Sequence, residues 1–353
     1  MSKPGGTSRR RTRVVTSVVT SLLGVAVFAA VPWMVGVSWA VVVATLSLVG
    51  PAHLLILLGV WAAGLLVHCL VLTGALPGLT VRRALLLNLS GSAVSNLLPL
   101  GGTAGMGLGF AMSRRWGVPG ERFASFTVVS NLWNAVGKLV GGISLLAVAA
   151  LAGTAFPPGT AALVLSACAA VSVVLLTSLV VLGSDRVSRV VVHVLGRVLH
   201  RSPPWQEDAA ARFRATRRSV VDVVSGAWAR MSLGVLGYLA LQGLLLALSL
   251  AAVGAGASLA VVVTAFAVER LVALVPITPA SNGLAELGTV AVLTALGTAP
   301  VAAASGVVLY RLLLVALEIP LGGLLAAWWW RAVRLADRRA AQENGGHEVA
   351  VAA

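Results

Sequence analysis

Charged residues and cysteines are scarce in this sequence. Charged side chains make up 10% of the chain, where about a quarter is usual in a soluble domain. The two cysteines, Cys69 and Cys168, belong to no CxxC or Cys/His cluster, so neither a disulfide framework nor a metal site is expected. The histidines are scattered, and no motif of a catalytic nucleophile is present. We therefore expect no metal and no cofactor.

Apolar residues dominate the composition instead. They account for 58% of the chain and recur in runs of about 20 residues, the length that an α-helix needs to cross a bilayer. These runs do not alternate between polar and apolar residues, as the strands of a membrane barrel do. The composition therefore predicts an all-α polytopic membrane protein.

Basic residues outnumber acidic residues by 26 to 11. They lie in short clusters between the apolar runs, for example at 9–13, 82–83 and 114–115. Such clusters are typical of cytoplasmic loops under the positive-inside rule, so nucleic acid is not an expected partner. We predict a multi-pass protein of a bacterial-type cytoplasmic membrane, with both termini in the cytoplasm.

The basic clusters and apolar runs divide the chain into five segments. About six spanning helices are expected, together with two re-entrant hairpins made of half-helices that are too short to span. The segments are a basic cytoplasmic arm (1–13), a first membrane half (14–183), a cytoplasmic linker (184–231), a second membrane half (232–332) and a disordered cytoplasmic tail (333–353).

The two membrane halves are predicted to be inverted repeats. Gly117 aligns with Gly297, and Lys138 aligns with Glu318, when the second half is laid on the first. The positions of the basic clusters make the helix at 52–75 run inward, whereas the helix near 232–254 runs outward. The halves would therefore cross the membrane in opposite directions.

The predicted hairpins are defined by two interruptions of apolar sequence. Proline removes a backbone donor and clashes with the preceding turn, so a helix ends where prolines occur. Non-helical backbone at membrane depth is tolerated where protein or a water-filled cavity surrounds it, and paired interruptions in two halves indicate a transporter-like site. The candidate substrate-binding residues at the interruptions are Asn96, Pro99, Gly102, Pro276, Pro279, Gly283 and Glu286.

Few ionisable residues lie within the apolar runs. A charge at mid-membrane costs about 3 to more than 10 kcal/mol, so these residues are expected to face one another or a wet cavity. Arg311 and Glu318 are seven residues apart, which places them on one face of a helix about two turns apart. The remaining candidates for the headgroup site are Lys138, Glu269 and Arg270.

Two interpretations of these charges stay open. In the first, Arg270 and Arg311 hold a lipid phosphate while the carboxylates tune or release it. In the second, buried ion pairs only fix helix packing. Lys138 would either bind phosphate or pair with Glu318.

Glycines recur between residues 101 and 109. The run is not a Walker loop, because no Gly-Lys-Ser/Thr follows at the required spacing. Small residues at such intervals allow helices to approach closely in membranes. We favour helix packing as the interpretation of this run.

The second interruption carries a family resemblance. Its residues Pro276 to Glu286, PITPASNGLAE, resemble the P-x-x-P-G-G-x-G-x-x-E motif of the lysylphosphatidylglycerol synthase transmembrane region, a flippase-like family of membrane proteins. The chain resembles this family from roughly residue 14 to residue 332. The other stretches that resemble the family are Glu269-Arg270, Tyr310-Arg311-Leu312 and 96–102, which is similar to N-x-x-x-P-x-x-G-E.

Three positions depart from the family pattern. Thr103 stands where the family has an acid after the first break, and residues 130–134 read SNLWN in place of Glu-Arg-x-x-Asp. Ala280 and Ser281 replace the usual Gly-Gly. The first half therefore carries fewer charges than the family pattern.

The resemblance implies translocation of a phospholipid or another amphiphilic lipid between leaflets, with membrane lipids as partners. The soluble aminoacyl-transferring domain of some members is absent from the sequence, so we expect no synthase activity and assign no catalytic residue. Two alternatives stay open: a membrane-embedded lipid-modifying enzyme, and a non-transporting partner of an enzyme of lipid or glycan synthesis. A homo-oligomer also stays open.

Overall fold

A computed structural model describes residues 29–97, 101–151, 203–274 and 283–351, with a few isolated positions between 166 and 190. Within these ranges all regular structure is helical and no strand occurs. The predicted all-α class is therefore confirmed.

Ten α-helices and one π-helical segment follow one another along the described chain. The helices are α1 (Trp39–Ser47), α2 (Pro51–Ala75), α3 (Val81–Leu97), α4 (Gly101–Arg115), α5 (Gly120–Leu151), α6 (Pro203–Ala252), α7 (Leu259–Val272), α8 (Leu284–Ala295), α9 (Pro300–Arg311) and α10 (Glu318–Val351), and the π segment is Leu312–Ala316.

Four helical stretches are long and apolar enough to cross a membrane. They are Pro51–Ala75, Gly120–Ala149, Val220–Ala252 and Pro300–Arg338. The other two predicted spans, at 14–31 and 160–183, lie largely outside the described residues. The count of about six spans therefore stays a prediction.

The core forms where α2, α5 and α9 pack against α6. Small residues allow these helices to approach closely, as is common in membrane bundles. A Cβ added to Gly137 of α5 would lie 1.9 Å from Cγ1 of Val235 on α6, and one added to Gly74 of α2 would lie 2.6 Å from Cγ of Met231. Helix α6 is therefore the central element of the described structure.

Two pairs of short helices stand where the hairpins were predicted. Helix α3 packs against α4, and α7 packs against α8. Each of these helices is shorter than the roughly 20 residues that a spanning helix needs. The breaks themselves, with Pro99, Pro276 and Pro279, lie outside the described residues. The re-entrant arrangement and the inverted repeat therefore stay predictions.

The glycine run in α4 contains one close helix contact. A Cβ on Gly105 would lie 2.2 Å from Oγ of Ser95 and 2.7 Å from the carbonyl oxygen of Gly91, both on α3. No atom lies within 4 Å of a Cβ added to Gly102 or Gly107. The packing interpretation thus applies to Gly105, where α3 and α4 meet.

Helix α6 runs across one of the predicted segment boundaries. It continues from Pro203 to Ala252, so the chain is helical across the boundary that was predicted between the linker (184–231) and the second half (232–332). The physical reason is that no proline follows Pro204 in this stretch, and alanine and arginine, which favour helices, are frequent in its first half.

The end of the chain also differs from its prediction. Helix α10 continues to Val351, into the segment 333–353 for which disorder was predicted. Alanine, arginine, leucine and glutamine are frequent after Trp330, and these residues have high helix propensity. The predicted helix at 300–330 lies within the continuous helical stretch Pro300–Arg338, which contains the π segment Leu312–Ala316.

Candidate functional site

Four of the predicted charged residues meet inside the helical bundle. Helix α7 provides Glu269 and Arg270, α8 provides Glu286, and α9 ends with Arg311. Glu269 is 1% exposed, Arg270 5% and Glu286 2%, and the side chain of Arg311 is 11% exposed. We call these four residues together with Lys138 the buried charge cluster.

The first ion pair joins the neighbouring residues Glu269 and Arg270. The guanidinium of Arg270 also donates from Nη1 to Oε1 of Gln242 at 2.7 Å and from Nη2 to the hydroxyl of Tyr310 at 3.2 Å. Tyr310 donates in turn to Oε2 of Glu269 at 3.3 Å. The ring of Phe266 lies 4.9 Å from Cζ of Arg270. Contacts from three helices therefore fix this guanidinium.

The second ion pair joins Arg311 and Glu286 and is anchored at a helix end. Nε of Arg311 lies 2.6 Å from Oε1 of Glu286, and the backbone N–H of Gly283 donates to the other carboxylate oxygen at 2.7 Å. Gly283 has φ +94°, a conformation that favours glycine. The N-terminus of α8 further stabilises the carboxylate, because its free N–H groups carry partial positive charge.

The two ion pairs form one network. Nη1 of Arg311 lies 4.0 Å from Oε1 of Glu269, so Arg311 contacts carboxylates on both α7 and α8. Two guanidiniums and two carboxylates balance one another in charge. Removing one member would leave a buried charge without its partner, which is costly in a low-dielectric interior.

Lys138 adds a third cation from the first half of the chain. It lies on α5, within electrostatic reach of Arg270, Glu269 and Arg311. Within the part of the chain that the structure describes, no hydrogen bond or ion pair of Lys138 is found. The cluster thus contains three cations and two carboxylates, and it carries one excess positive charge that can attract an anion.

Glu318 lies apart from this cluster. Its carboxylate accepts a hydrogen bond from Oγ of Ser92 on α3 at 2.6 Å, and Nδ2 of Asn96 donates to the same Ser92 oxygen at 3.3 Å. The structure thus brings Glu318 and Asn96 together, and it does not join Glu318 to Lys138 or Arg311. The expected shared face assumed a regular α-helix, whereas the wider turns of the π segment between Arg311 and Glu318 change their relative direction.

No contact of Gly102 with these side chains is found in the described part of the chain. Sequence reasoning assigned no role to Gln242 and Ser92, which contact Arg270 and Glu318. Tyr310 entered only through the family resemblance. The available signal was a polar side chain within an apolar run, since polar groups in a membrane seek partners.

Among the described residues, no group of three or more His, Cys, Asp or Glu that could hold an ion is found. The guanidinium, ammonium and carboxylate groups of the buried charge cluster can act by electrostatic attraction and hydrogen bonding. Those are the interactions needed to bind a charged headgroup.

Comparison with known proteins agrees with the resemblance seen in the sequence. The family model of the lysylphosphatidylglycerol synthase transmembrane region matches residues 21–322. No curated protein matches the chain. Because the match covers most of the chain, and includes every residue of the buried charge cluster, the protein belongs to the family of the lysylphosphatidylglycerol synthase transmembrane region.

Proposed function

We propose that this protein translocates a phospholipid, or another amphiphilic lipid, between the leaflets of the cytoplasmic membrane. The main support for this proposal is the excess positive charge of the buried charge cluster. It arises because Lys138 lies near two carboxylates that are already paired with two guanidiniums. Membership of a family of integral membrane proteins related to lipid metabolism supports it.

The physical argument concerns the cost of burying charge. An unpaired cation in a membrane protein interior is unfavourable, and a phosphate that reaches Lys138 would relieve that cost. Arg270 and Arg311 are already held by carboxylates, so they would strengthen the attraction without leaving their partners. We propose that Lys138 contacts the headgroup phosphate, and that Glu269 and Glu286 weaken its binding enough for release.

The two halves of the chain both contribute to this cluster. Lys138 comes from the first half, whereas Glu269, Arg270, Glu286 and Arg311 come from the second half. A site between two repeats is the arrangement that alternating access uses. We propose that movement of one half against the other exposes the cluster to each leaflet in turn.

The proposal is tested by a Lys138→Met variant in reconstituted vesicles. Methionine keeps an unbranched apolar stem and removes the charge. A hydrogen bond to a charged group contributes about 1.5–3 kcal/mol, so we expect the rate of translocation to fall at least tenfold. The measurement is a leaflet-resolved assay of a fluorescent phosphatidylglycerol and a fluorescent phosphatidylethanolamine.

Ile143→Met on the same helix is the matched control, because Ile143 is exposed on the surface of α5. This variant should keep the normal rate. If both methionine variants translocate lipid as fast as the unchanged protein, Lys138 does not bind the headgroup and the proposed site is wrong.

We also propose that the start of α7 faces the outside and that α6 begins in the cytoplasm. The proposal follows from the basic residues that precede Val220 on α6. Single cysteines at Leu259, which is 75% exposed, and at the exposed Arg218 should then differ in labelling. A membrane-impermeant thiol reagent added to intact cells should label Leu259→Cys and spare Arg218→Cys.

This labelling is measured in a background in which Cys69 and Cys168 are serine. Permeabilised cells provide the control, because Arg218→Cys should react there. Labelling of Arg218→Cys in intact cells, without labelling of Leu259→Cys, would reverse the proposed orientation.

A further inference from the structure

A cavity of about 450 Å³ lies between helices α5, α6 and α7. Its walls are almost entirely apolar, and Arg270 is the one charged residue among those that line it. The size falls within the range of pockets that bind small molecules, which is about 300–1,000 Å³. Apolar residues that line the cavity include Val140, Leu236, Ala247, Leu259, Val263 and Phe266.

The cavity opens towards the surface that the helices present to lipid. Leu236 and Leu244 line it and are 56% and 44% exposed. Leu236 and Leu244 lie in the spanning part of α6, so their exposed surface faces hydrocarbon. The apolar molecules that reach this opening most readily are the acyl chains of membrane lipids.

One atom of Arg270 has no partner among the described residues, although the residue is only 5% exposed. Its Nη1 and Nη2 donate to Gln242, Glu269 and Tyr310, whereas no hydrogen-bond acceptor for the buried Nε is found in the part of the chain that the structure describes. Buried donors in native proteins usually have an acceptor. Arg270 therefore lines an apolar cavity and has one donor without a described partner. These two features suit a ligand with an apolar chain and one oxygen that can accept a hydrogen bond.

We propose that this cavity holds an acyl chain of a membrane phospholipid, with the ester carbonyl oxygen accepting a hydrogen bond from Nε of Arg270. A neutral carbonyl suits this position better than the carboxylate of a free fatty acid. The charge of Arg270 is already balanced by Glu269, so a second carboxylate would be placed close to a buried carboxylate of the same sign.

This inference rests on the proposed function and deepens it, because it gives the chain of the translocated lipid a place next to the headgroup site. Arg270 belongs to both sites: its Nη2 contacts Glu269 of the charge cluster, its Nη1 donates to Gln242, and the residue also lines the cavity, where we propose that Nε binds the carbonyl. One residue would thus join the recognition of the headgroup to that of the chain.

The test is photolabelling of the purified protein in vesicles of phosphatidylethanolamine and phosphatidylglycerol. The probe is a phosphatidylethanolamine with a diazirine on one acyl chain, and labelled peptides are identified by mass spectrometry. Labels should concentrate on the stretches 140–145, 236–247 and 259–266. In Ala247→Phe, where the aromatic ring fills the cavity, this labelling should be lost.

Two further variants keep the test decisive. Ala62→Phe places the same ring on an exposed position of α2 outside the cavity and should leave labelling unchanged. Ala240→Phe fills the cavity from an exposed lining position, so it gives the same readout if Ala247→Phe folds poorly. Equal labelling of the folded cavity variants and Ala62→Phe would overturn the proposal.

A second probe, palmitic acid with the same diazirine, separates the two sources of an acyl chain. Labelling by the fatty acid without labelling by the phospholipid would also overturn the proposal. The experiment measures binding and not translocation. A Lys138→Met protein that loses translocation but keeps cavity labelling would support both assignments. Lost labelling with unchanged translocation in Ala247→Phe would show that the chain in the cavity is not that of the translocated lipid, and would overturn this inference while the proposed function stands.

Discussion

Arg311→Ala is expected to abolish translocation and to lower thermal stability, whereas Arg122→Ala should change neither. Arg311 contacts Glu286 at 2.6 Å and lies 4.0 Å from Glu269, and both carboxylates are almost fully buried. Removing one partner of a buried ion pair costs about 3–5 kcal/mol. Arg122 is exposed, and exposed substitutions usually change stability by less than about 0.5 kcal/mol.

The measurements are the melting temperature in detergent and the leaflet-resolved assay at equal protein level. Because loss of stability alone would lower activity, the double variant Arg311→Leu/Glu286→Gln is the informative comparison. The glutamine keeps an oxygen that can accept from the N–H of Gly283, and neither partner is then a buried unpaired charge. We expect the double variant to recover most of the stability and none of the translocation.

Two outcomes would contradict this expectation. Full translocation by the double variant would mean that the Arg311–Glu286 pair only fixes helix packing. Equal translocation by Arg311→Ala and Arg122→Ala would exclude Arg311 from the headgroup site.

Gly322→Ala is expected to destabilise the protein strongly, whereas its neighbour Gly323→Ala should be neutral or slightly stabilising. A Cβ on Gly322 would lie 1.9 Å from the carbonyl oxygen of Leu89 and 2.8 Å from Cβ of Ala93, both on α3. Backbone cannot move as a side-chain end can, so α10 and α3 would have to separate. A Cβ on Gly323 would meet no atom within 4 Å.

Separation of these helices would also disturb the hydrogen bond between Ser92 and Glu318, which lies at the same helix contact. Overpacking typically costs about 1–3 kcal/mol, and occasionally more, while alanine in an open helical position is favoured over glycine by up to about 1 kcal/mol. Melting temperatures of the two variants should therefore move in opposite directions or differ by several degrees. Equal melting temperatures would show that α3 and α10 do not make this contact.

One physical reason explains why the helical class and the residues of the charge cluster could be predicted from the sequence. Hydrocarbon requires long apolar helices, and it makes each buried charge costly enough to need a partner or a function. Glu269, Arg270, Glu286 and Arg311 could thus be chosen before any contact was known. Pro276 and Pro279 were chosen by the same reasoning, and they lie outside the described residues.

The choice of partners could not be predicted in this way. A shared face for Arg311 and Glu318 was reasonable for a straight α-helix, but a π segment lies between them, and Glu318 contacts Ser92 instead. Gln242 and Tyr310 are separated from Arg270 by 28 and 40 residues. No local pattern encodes such contacts, because they exist only once α6, α7 and α9 have packed together.

By itself, then, the sequence determined a polytopic helical membrane protein with costly charges near two interruptions of its apolar runs. The reason is that a helix surrounded by hydrocarbon needs a long apolar run, which is visible in the composition and spacing of the residues. Only the tertiary structure decided that Lys138 joins the second-half charges, that Glu318 stays with Ser92, and that Arg270 lines an apolar cavity. Helix rotation and helix packing decide these contacts, since a rotation of a fraction of a turn exchanges one set of buried neighbours for another.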